Sequence, residues 1–465
     1  MNDSPLLNKP VGQTLRTMAI PAAFGMLMTF MFQLVDTYFI GMLGVDQLAA
    51  MSFSFPVYIL IVSFFMGTAA GVSSTVGRAL GANNPPKAQR LVGVAMTSFM
   101  IITVVIGMLG LYVDNGLFSL LGAKQEALFY VKQYMTPLFL GMFLLVGGLI
   151  ANSALMAKGI MIPSTAVMVL GGIVNVVFDY LLIFGHGPFP TLGLQGAAVA
   201  TVLSWLTILV LMTALLYRAE LLSFSFLGNL KQASEDFSQI MLISTPAIAA
   251  QVLNPIAIAV ITRSVSQYGD NAVAAFGIVS RIESLALVGI LALSVILTPF
   301  IAQNVGAKAN HRVNQSIAIS GRITVYWGIG VFLMLALFSA YIFNPFSQNP
   351  TLTTIGQNYF YIVGLTYPAF GLALITSSIF NGAQLPKRSM AITMVKSIIL
   401  TIPMVLFAAQ FSLESIWIGI ALANILGALY ARKQLIQWQK QSGDSTPNSM
   451  IVKDYINDFG QLRWY

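Results

Sequence analysis

Apolar residues along this chain neither alternate with polar ones nor keep to one face of a helix. They fill whole runs separated by short polar breaks. A run of about 20 such residues crosses a bilayer as one helix. Twelve runs are read, at 15–43, 48–77, 88–111, 125–150, 161–184, 193–217, 236–266, 272–302, 314–341, 353–379, 388–410 and 413–437. The breaks are rich in glycine and proline: GANNPP at 81–86, FGHGPFPTLG at 184–193 and FNPFSQNP at 343–350. Barrel strands would alternate apolar and polar positions. The expected class is an all-α polytopic membrane protein with twelve transmembrane helices.

Composition agrees: 57% of residues are hydrophobic and 8% charged, with a mean hydropathy of +0.82, whereas a soluble domain carries roughly 25% charged residues. The net charge of +8 reads as topogenic. Lys9 and Arg16 precede span 1. Arg78, Lys87 and Arg90 follow span 2, Lys158 follows span 4, and Arg218 and Lys231 follow span 6. Lys308 and Arg312 follow span 8, Lys387 and Arg388 follow span 10, and Arg432, Lys433 and Lys440 follow span 12. The alternate loops are nearly empty: only Lys124 and Lys132 flank one of them. Positive residues stay inside, so both termini are expected in the cytoplasm, with the chain in a plasma membrane of the bacterial inner type. No soluble basic surface offers itself to nucleic acid. Cysteine is absent, which excludes disulfides and thiolate chemistry. The first apolar run is too long for a signal peptide's core and is expected to be retained. The tail after Gln441 is polar and is assigned no function.

The chain repeats itself at a shift of 225 residues. Pro21 and Ala22 meet Pro246 and Ala247, Gly44 meets Gly269, Gly81 and Ala82 meet Gly306 and Ala307, and Lys87 meets Arg312. At slightly different shifts Pro137 meets Pro368, and GIMIP at 159–163 meets GAQLP at 382–386. Two six-span halves in parallel orientation are a transporter architecture. The expected organisation is a cytoplasmic N-terminus (1–14), an N-lobe (15–217), a cytoplasmic linker (218–235), a C-lobe (236–437) and a cytoplasmic polar tail (438–465).

No phosphate-binding P-loop and no H-E-x-x-H zinc motif occurs, and His186 and His311 fall in loops. No metal centre or cofactor is expected, and energy must come from an ion gradient. Ionisable groups within the membrane are costly and default to a functional reading. Asp36 lies seven residues before Leu43, so ~10 Å from the outer end of span 1. Asp179 lies at a similar depth in span 5, with Asn175 one turn below it on the same face. Tyr134 in span 4 and Thr201 in span 6 reach the same level. Two acids close together in a low dielectric do not readily both ionise, so this group suits uptake and release of H⁺. The same oxygens at Asp36, Asn175, Asp179 and Thr201 suit Na⁺ as the alternative ion. The plainer reading has Asp36 only capping its helix or reaching the outer interface.

Weaker candidates remain. Arg281 and Glu283 in span 8 form either a second coupling site or a structural pair with Lys396 or Arg263; the structural pair is preferred. Lys396 is also long enough to snorkel. Pro21 breaks the hydrogen-bond ladder of span 1 and is either a static kink or a hinge. Met26, Met28, Met31 and Phe32 share the helix of Asp36, where flexible thioethers suit a cavity for varied apolar cations.

VDTYFIGMLG with LAAMSF, GRALGANNPPKAQR, SRIESL, NVVFDYLLIFG and GLQGAAVAT together resemble the multidrug and toxic compound extrusion (MATE) family from Leu15 to about Leu435. The acid in span 1 with Asn175 and Asp179 resembles its DinF-like branch. The resemblance implies two pseudo-symmetric six-helix lobes in a V-shaped transporter that exports cationic or amphipathic drug-like compounds in exchange for H⁺ or Na⁺. It further implies Asp36 as the coupling carboxylate, with Tyr134, Asn175, Asp179 and Thr201 as its hydrogen-bonding network. Pro21 would be the bend of the first helix, and Asn152 and Met168 would line the cavity. The other bacterial branch has an acid in span 7 where this chain has Asn254, which favours the N-lobe site.

The expectation is a proton-coupled antiporter, acting as a monomer in the bilayer on small molecules. A lipid-linked oligosaccharide flippase would share the architecture but should place Arg and Lys in its cavity. An intramembrane aspartyl protease using Asp36 and Asp179 would need a G-x-G-D pattern, which is absent, and would leave six spans surplus.

Overall fold

The structure, a computed structural model, describes residues 5–120, 125–343 and 350–441. Lys124, most of the break at 343–350 and the tail beyond Gln441 lie outside the described residues. Every regular element among the described residues is helical: α1 (Pro5–Asn8), α2 (Val11–Leu43), α3 (Val45–Gly81), α4 (Pro85–Leu120), α5 (Gln125–Lys158), α6 (Ile162–Phe184), α7 (Leu194–Arg218), α8 (Leu230–Ser266), α9 (Asp270–Ala286), α10 (Val288–Gly306), α11 (Asn310–Phe343), α12 (Pro350–Ile362), α13 (Tyr367–Gly382), α14 (Pro386–Met394), α15 (Ile402–Ala408) and α16 (Leu413–Gln441). Among the described residues twelve helical spans are long and apolar enough to cross a membrane. The chain is a twelve-span, all-helical membrane protein.

The two halves differ in how continuous their helices are. In the first, α2 to α7 each cross without a break, and Pro21, Pro56 and Pro137 are absorbed inside helices. In the second, three of the expected single spans are interrupted. The span expected at 272–302 breaks at Leu287, between α9 and α10. No proline causes this. The indole Nε1–H of Trp327, on α11, donates to the Ala286 carbonyl at 3.0 Å, and a side chain inserted into the helical ladder breaks it. The span expected at 353–379 divides into α12, a 3₁₀ turn at Gly364–Thr366 and α13, because Pro368 has no N–H for the carbonyl four residues before it. The span expected at 388–410 contains a π-helical turn at Val395–Thr401, followed by Pro403, whose missing N–H falls on the carbonyl of Ile399 within that turn.

The chain divides into two compact units, one of Met1–Asn8 with Ile20–Val252 and one of Lys9–Ala19 with Leu253–Tyr465. Of the three divisions, one falls between α1 and α2 and the other two fall inside long helices, α2 and α8. In the first unit Gly67 and Gly71, one turn apart on α3, let the backbone and side chains of Ile248 and Ser244 on α8 approach where a Cβ would stand. Its core is Phe65, Val72, Leu91, Phe99, Ile150 and Leu155 with their neighbours. A second cluster joins Ile40, Phe118, Tyr134, Ile183 and Trp205. The second unit is built around Phe276, Tyr359, Phe360, Tyr367 and Trp417, with the Phe276 and Trp417 rings stacked at 5.8 Å.

The internal repeat is visible in the backbone. Gly44 and Gly269, and Asn83 and Lys308, carry positive φ at the same shift of 225. In each turn after the second helix the chain closes with the same bonds, Asn84 N to Ala79 O at 3.0 Å and Ala309 N to Asn304 O at 2.8 Å, the pattern that ends a helix with a left-handed residue. Matching glycines pairs Gly159 with Gly382, but the backbone pairs Gly159 with Gln384, which share positive φ. Gly382 is still helical, as the last residue of α13. Conformation, not residue identity, sets the register there.

Candidate functional site

Asp36 is one of two buried positions on its turn of α2, with Ile40 one turn on. The helix therefore turns a single narrow face to the unit. α2 is also the least enclosed span of its half: 6% of its most apolar stretch is buried, against 22% or more in the other five. Few contacts hold it, which is the physical condition for a segment that can move. On α6, Thr165 Oγ1 donates to the Pro21 carbonyl at 3.2 Å, and Phe32 fills the space that a side chain at Gly172 would need.

Asp179, on α6, is fully buried, and Asp36 is 9% exposed. Asp36 Oδ1 and both carboxylate oxygens of Asp179 are buried and accept no hydrogen bond from a described residue. The two carboxyl groups are close enough for the charge on Asp36 to act on Asp179. Tyr134 on α5 feels both. Asn175 Nδ2 donates to Thr201 Oγ1 at 3.4 Å, and Thr201 Oγ1 donates in turn to the Ala197 carbonyl at 3.1 Å. Spacing on α6, one turn from Asn175 to Asp179, puts both on the side facing α7 and α5.

One further member is Tyr58 on α3, which also lies within electrostatic reach of Asp36. Its ring stacks parallel to that of Trp205, 6.5 Å away. In the sequence Tyr58 is an aromatic within an apolar run, indistinguishable from a packing residue. The repeat held the signal: at the shift of 225 Tyr134 meets Tyr359 and Tyr58 meets Glu283, both members of a polar cluster in the second unit.

Other expected residues lie elsewhere. Asn152 accepts a hydrogen bond from Ser164 and donates toward Met156 Sδ at 3.6 Å, so it belongs to a group two turns or more from the carboxylates along α5 and α6. Met168 packs against the core cluster around Phe99 and Ile150. Met31 is exposed at 49%. In the second unit Glu283 accepts from Tyr359 Oη at 3.2 Å and stands beside Tyr367 and within reach of the Lys396 charge. Arg281 is exposed and is not part of that group.

Acting together, the first-unit residues offer carboxylate, amide and hydroxyl oxygens in a desolvated setting. That chemistry suits a proton or a hard monovalent cation such as Na⁺. Among the described residues no group of three or more His, Cys, Asp or Glu side chains is placed to hold a metal ion.

Comparison with known proteins follows the same division into halves. The chain is 33% identical over 422 residues to an FAD transporter of Shewanella oneidensis, covering 90% of this chain and 93% of the relative. It is 26% identical to the probable multidrug resistance protein YoeA of Bacillus subtilis, covering 93% and 96%. Its fold matches that of a mutant of the Vibrio cholerae MATE transporter VcmN with a TM-score of 0.89 at 24% identity, covering 93% and 97%. It also matches a MOP superfamily transporter from Pyrococcus furiosus with a TM-score of 0.84 at 23% identity, covering 92% and 97%. A sequence model of the MatE family matches residues 21–181 and 246–407, one segment in each half, and the chain therefore belongs to the MatE family of membrane transporters.

Proposed function

We propose that this chain is a multidrug efflux antiporter that exports cationic or amphipathic drug-like compounds in exchange for H⁺, with Asp36 as the coupling group. The observation that carries the reading is the pair of buried carboxylates, Asp36 and Asp179, whose oxygens lack donors among the described residues while two tyrosines stand beside them. Multidrug resistance and export proteins are among its relatives. The branch assignment, DinF-like, rests on the acid in α2 with Asn175 and Asp179. Both termini are placed in the cytoplasm and the chain acts as a monomer.

The cycle is alternating access. Protonation of Asp36 removes a buried charge. α2, thinly held and carrying Pro21 inside it, bends, and the drug leaves to the outside. Release of the proton inward resets the helix. Proton and drug need only bind the two conformations differently to be coupled. The test is efflux of a fluorescent cationic dye from liposomes under an imposed pH gradient without sodium. Wild type should transport, and Asp36→Asn should bind dye but not transport. Transport only when Na⁺ is supplied would keep the site and change the ion. Equal transport by both proteins would remove Asp36 from the mechanism.

A second reading rests on the FAD transporter among the relatives. FAD carries a diphosphate, so its export calls for a cationic group facing the cargo. The first-unit site supplies carboxylates instead, and the half-buried base that answers the description is Lys396 in the second unit. Running FAD as a second cargo in the same liposomes separates the two readings.

A further inference from the structure

The three helix interruptions of the second unit are not scattered. The break at Leu287 comes one turn after Glu283 on α9. The 3₁₀ turn at Gly364–Thr366 lies between Tyr359 and Tyr367. The π-helical turn at Val395–Thr401 contains Lys396. Glu283, Tyr359, Tyr367 and Lys396 form one cluster, so each interruption adjoins a member of it. Continuous spans in the first half correspond to all three. Interrupted spans in transporters place polar groups around a ligand, and single π-helical turns mark functional positions inside helices.

Lys396 is held in an unusual way. Its ammonium lies 4.1 Å from the centre of the Phe370 ring. Its backbone carbonyl accepts a bond from Thr401 Oγ1 at 2.8 Å, five residues on, which satisfies the widened turn. Its stem runs over Gly427 of α16, where a Cβ would come within 2.9 Å of Lys396 Cγ. Tyr359 and Tyr367 are closed off, 4% and 0% exposed, while Glu283, Lys396 and Phe370 are half-buried. The cluster is therefore sealed at the two tyrosines and open along Glu283, Phe370 and Lys396. A phenylalanine face and an acid beside one ammonium, with two tyrosines set against the acid, are the recognition chemistry of an organic ammonium ion.

We infer that Glu283, Tyr359, Tyr367 and Phe370 form a binding site for organic cations in the second unit, occupied in this structure by the Lys396 side chain as a tethered ammonium that an incoming cation displaces. The inference rests on the export of cations proposed above, and supplies that function with a site separate from Asp36. Lys396 keeps Glu283 compensated between cargoes and prevents a small inorganic cation from settling there. The π-helical turn supplies the slack by which its side chain withdraws.

The first test is chemical rescue. Replacing Lys396 by Ala removes a propylammonium-sized group. In detergent, n-propylammonium chloride should raise the melting midpoint of Lys396→Ala above that in equal NaCl, since a ligand that binds only the folded state stabilises it. Wild type and the double variant Glu283→Gln with Lys396→Ala should show no such difference. An equal response in all three proteins overturns the inference. The second test serves if Lys396→Ala does not fold. Lys396→Met keeps the stem and should bind tetraphenylphosphonium about three- to tenfold more tightly than wild type, and Glu283→Gln added to it should abolish the gain. Unchanged or weaker binding overturns the inference, as does a loss of FAD binding in Lys396→Met, which would make Lys396 an anchor for an anionic cargo. Rescue by propylammonium in a protein that exports no organic cation would sink the export reading and leave this site standing.

Discussion

The indole N–H of Trp327 donates to the carbonyl of Ala286 at 3.0 Å, and the same ring lies against Gly289, where a Cβ would stand 2.5 Å from it. Two helices are thereby locked at the point where one of them breaks. Gly289 leaves space for the ring, and the ring takes up the carbonyl that the break exposes. Gly289→Ala should therefore destabilise the protein by ~1–3 kcal/mol, the usual cost of overpacking. Trp327→Phe keeps most of the ring but leaves the carbonyl without its donor, at about 1 kcal/mol. Thermal unfolding in detergent measures both. If the contact is the cause, Gly289→Ala should cost much less in a Trp327→Ala background, because residues in contact are not additive.

Arg90 and Asp236 form a bidentate ion pair between α4 and α8 within the first unit, with side-chain exposures of 19% and 6%. Nearby, Gln89 Nε2 donates to the Glu220 carbonyl at 2.9 Å and Lys158 to the Ala219 carbonyl. Together they fasten the segment between α7 and α8 to the ends of α4 and α5. Removing one partner of a largely buried pair strands the other charge. Asp236→Asn should therefore cost about 2–3 kcal/mol, below the range for fully buried pairs because Arg90 keeps some solvent. The double replacement Arg90→Met with Asp236→Leu should cost less than the single one. A smaller loss in the single variant than in the double would contradict this account.

Twelve spans were legible because each is a continuous apolar run, and a bilayer leaves a spanning chain little choice but a helix. Asp36 was legible for the same reason in reverse, as a lone acid in such a run. Tyr58 was not, since a tyrosine among apolar residues has the signature of packing. The break at Leu287 was hidden because its cause, Trp327, sits on another helix. Pro368 and Pro403 stood in plain view, but proline alone does not separate an absorbed kink, as at Pro137 in α5, from a true interruption. The partners of Glu283 could not be read locally: Tyr359 lies 76 residues on, and only folding brings the two together.

Among the described residues, four other than glycine take positive φ: Asn83, Glu220, Lys308 and Gln384. The left-handed conformation costs an ordinary L-residue ~1–2 kcal/mol. Lys308 is exposed. Lys308→Gly should then raise stability by up to about 1 kcal/mol, the relief being offset in part by the greater freedom of glycine in the unfolded chain. Lys308→Ile should lower it, as a branched side chain tolerates that backbone poorly. A Lys308→Ala control separates backbone strain from loss of charge: it should fall between the two. The order Gly, Ala, Ile in melting midpoint is the outcome that checks the prediction.

The buried pair Asp36 and Asp179 should act as one unit. If the proton is shared between carboxyl groups that sense one another, removing either charge changes what the other experiences. Asp36→Asn and Asp179→Asn should each impair pH-driven dye efflux, and the double variant should be little worse than Asp36→Asn alone. Such non-additivity, worth about 1 kcal/mol or more in a double-mutant cycle, distinguishes a shared site from two independent ones. Tyr58→Phe and Tyr134→Phe extend the cycle, because each removes one hydroxyl beside the carboxylates while keeping the ring that packs. Tyr58→Phe should preserve the stack on Trp205, and with it the melting midpoint, yet slow efflux. Fully additive losses in efflux across Asp36, Asp179 and Tyr58 would mean that the proton rests on Asp36 alone, with its neighbours serving only to pack the helix.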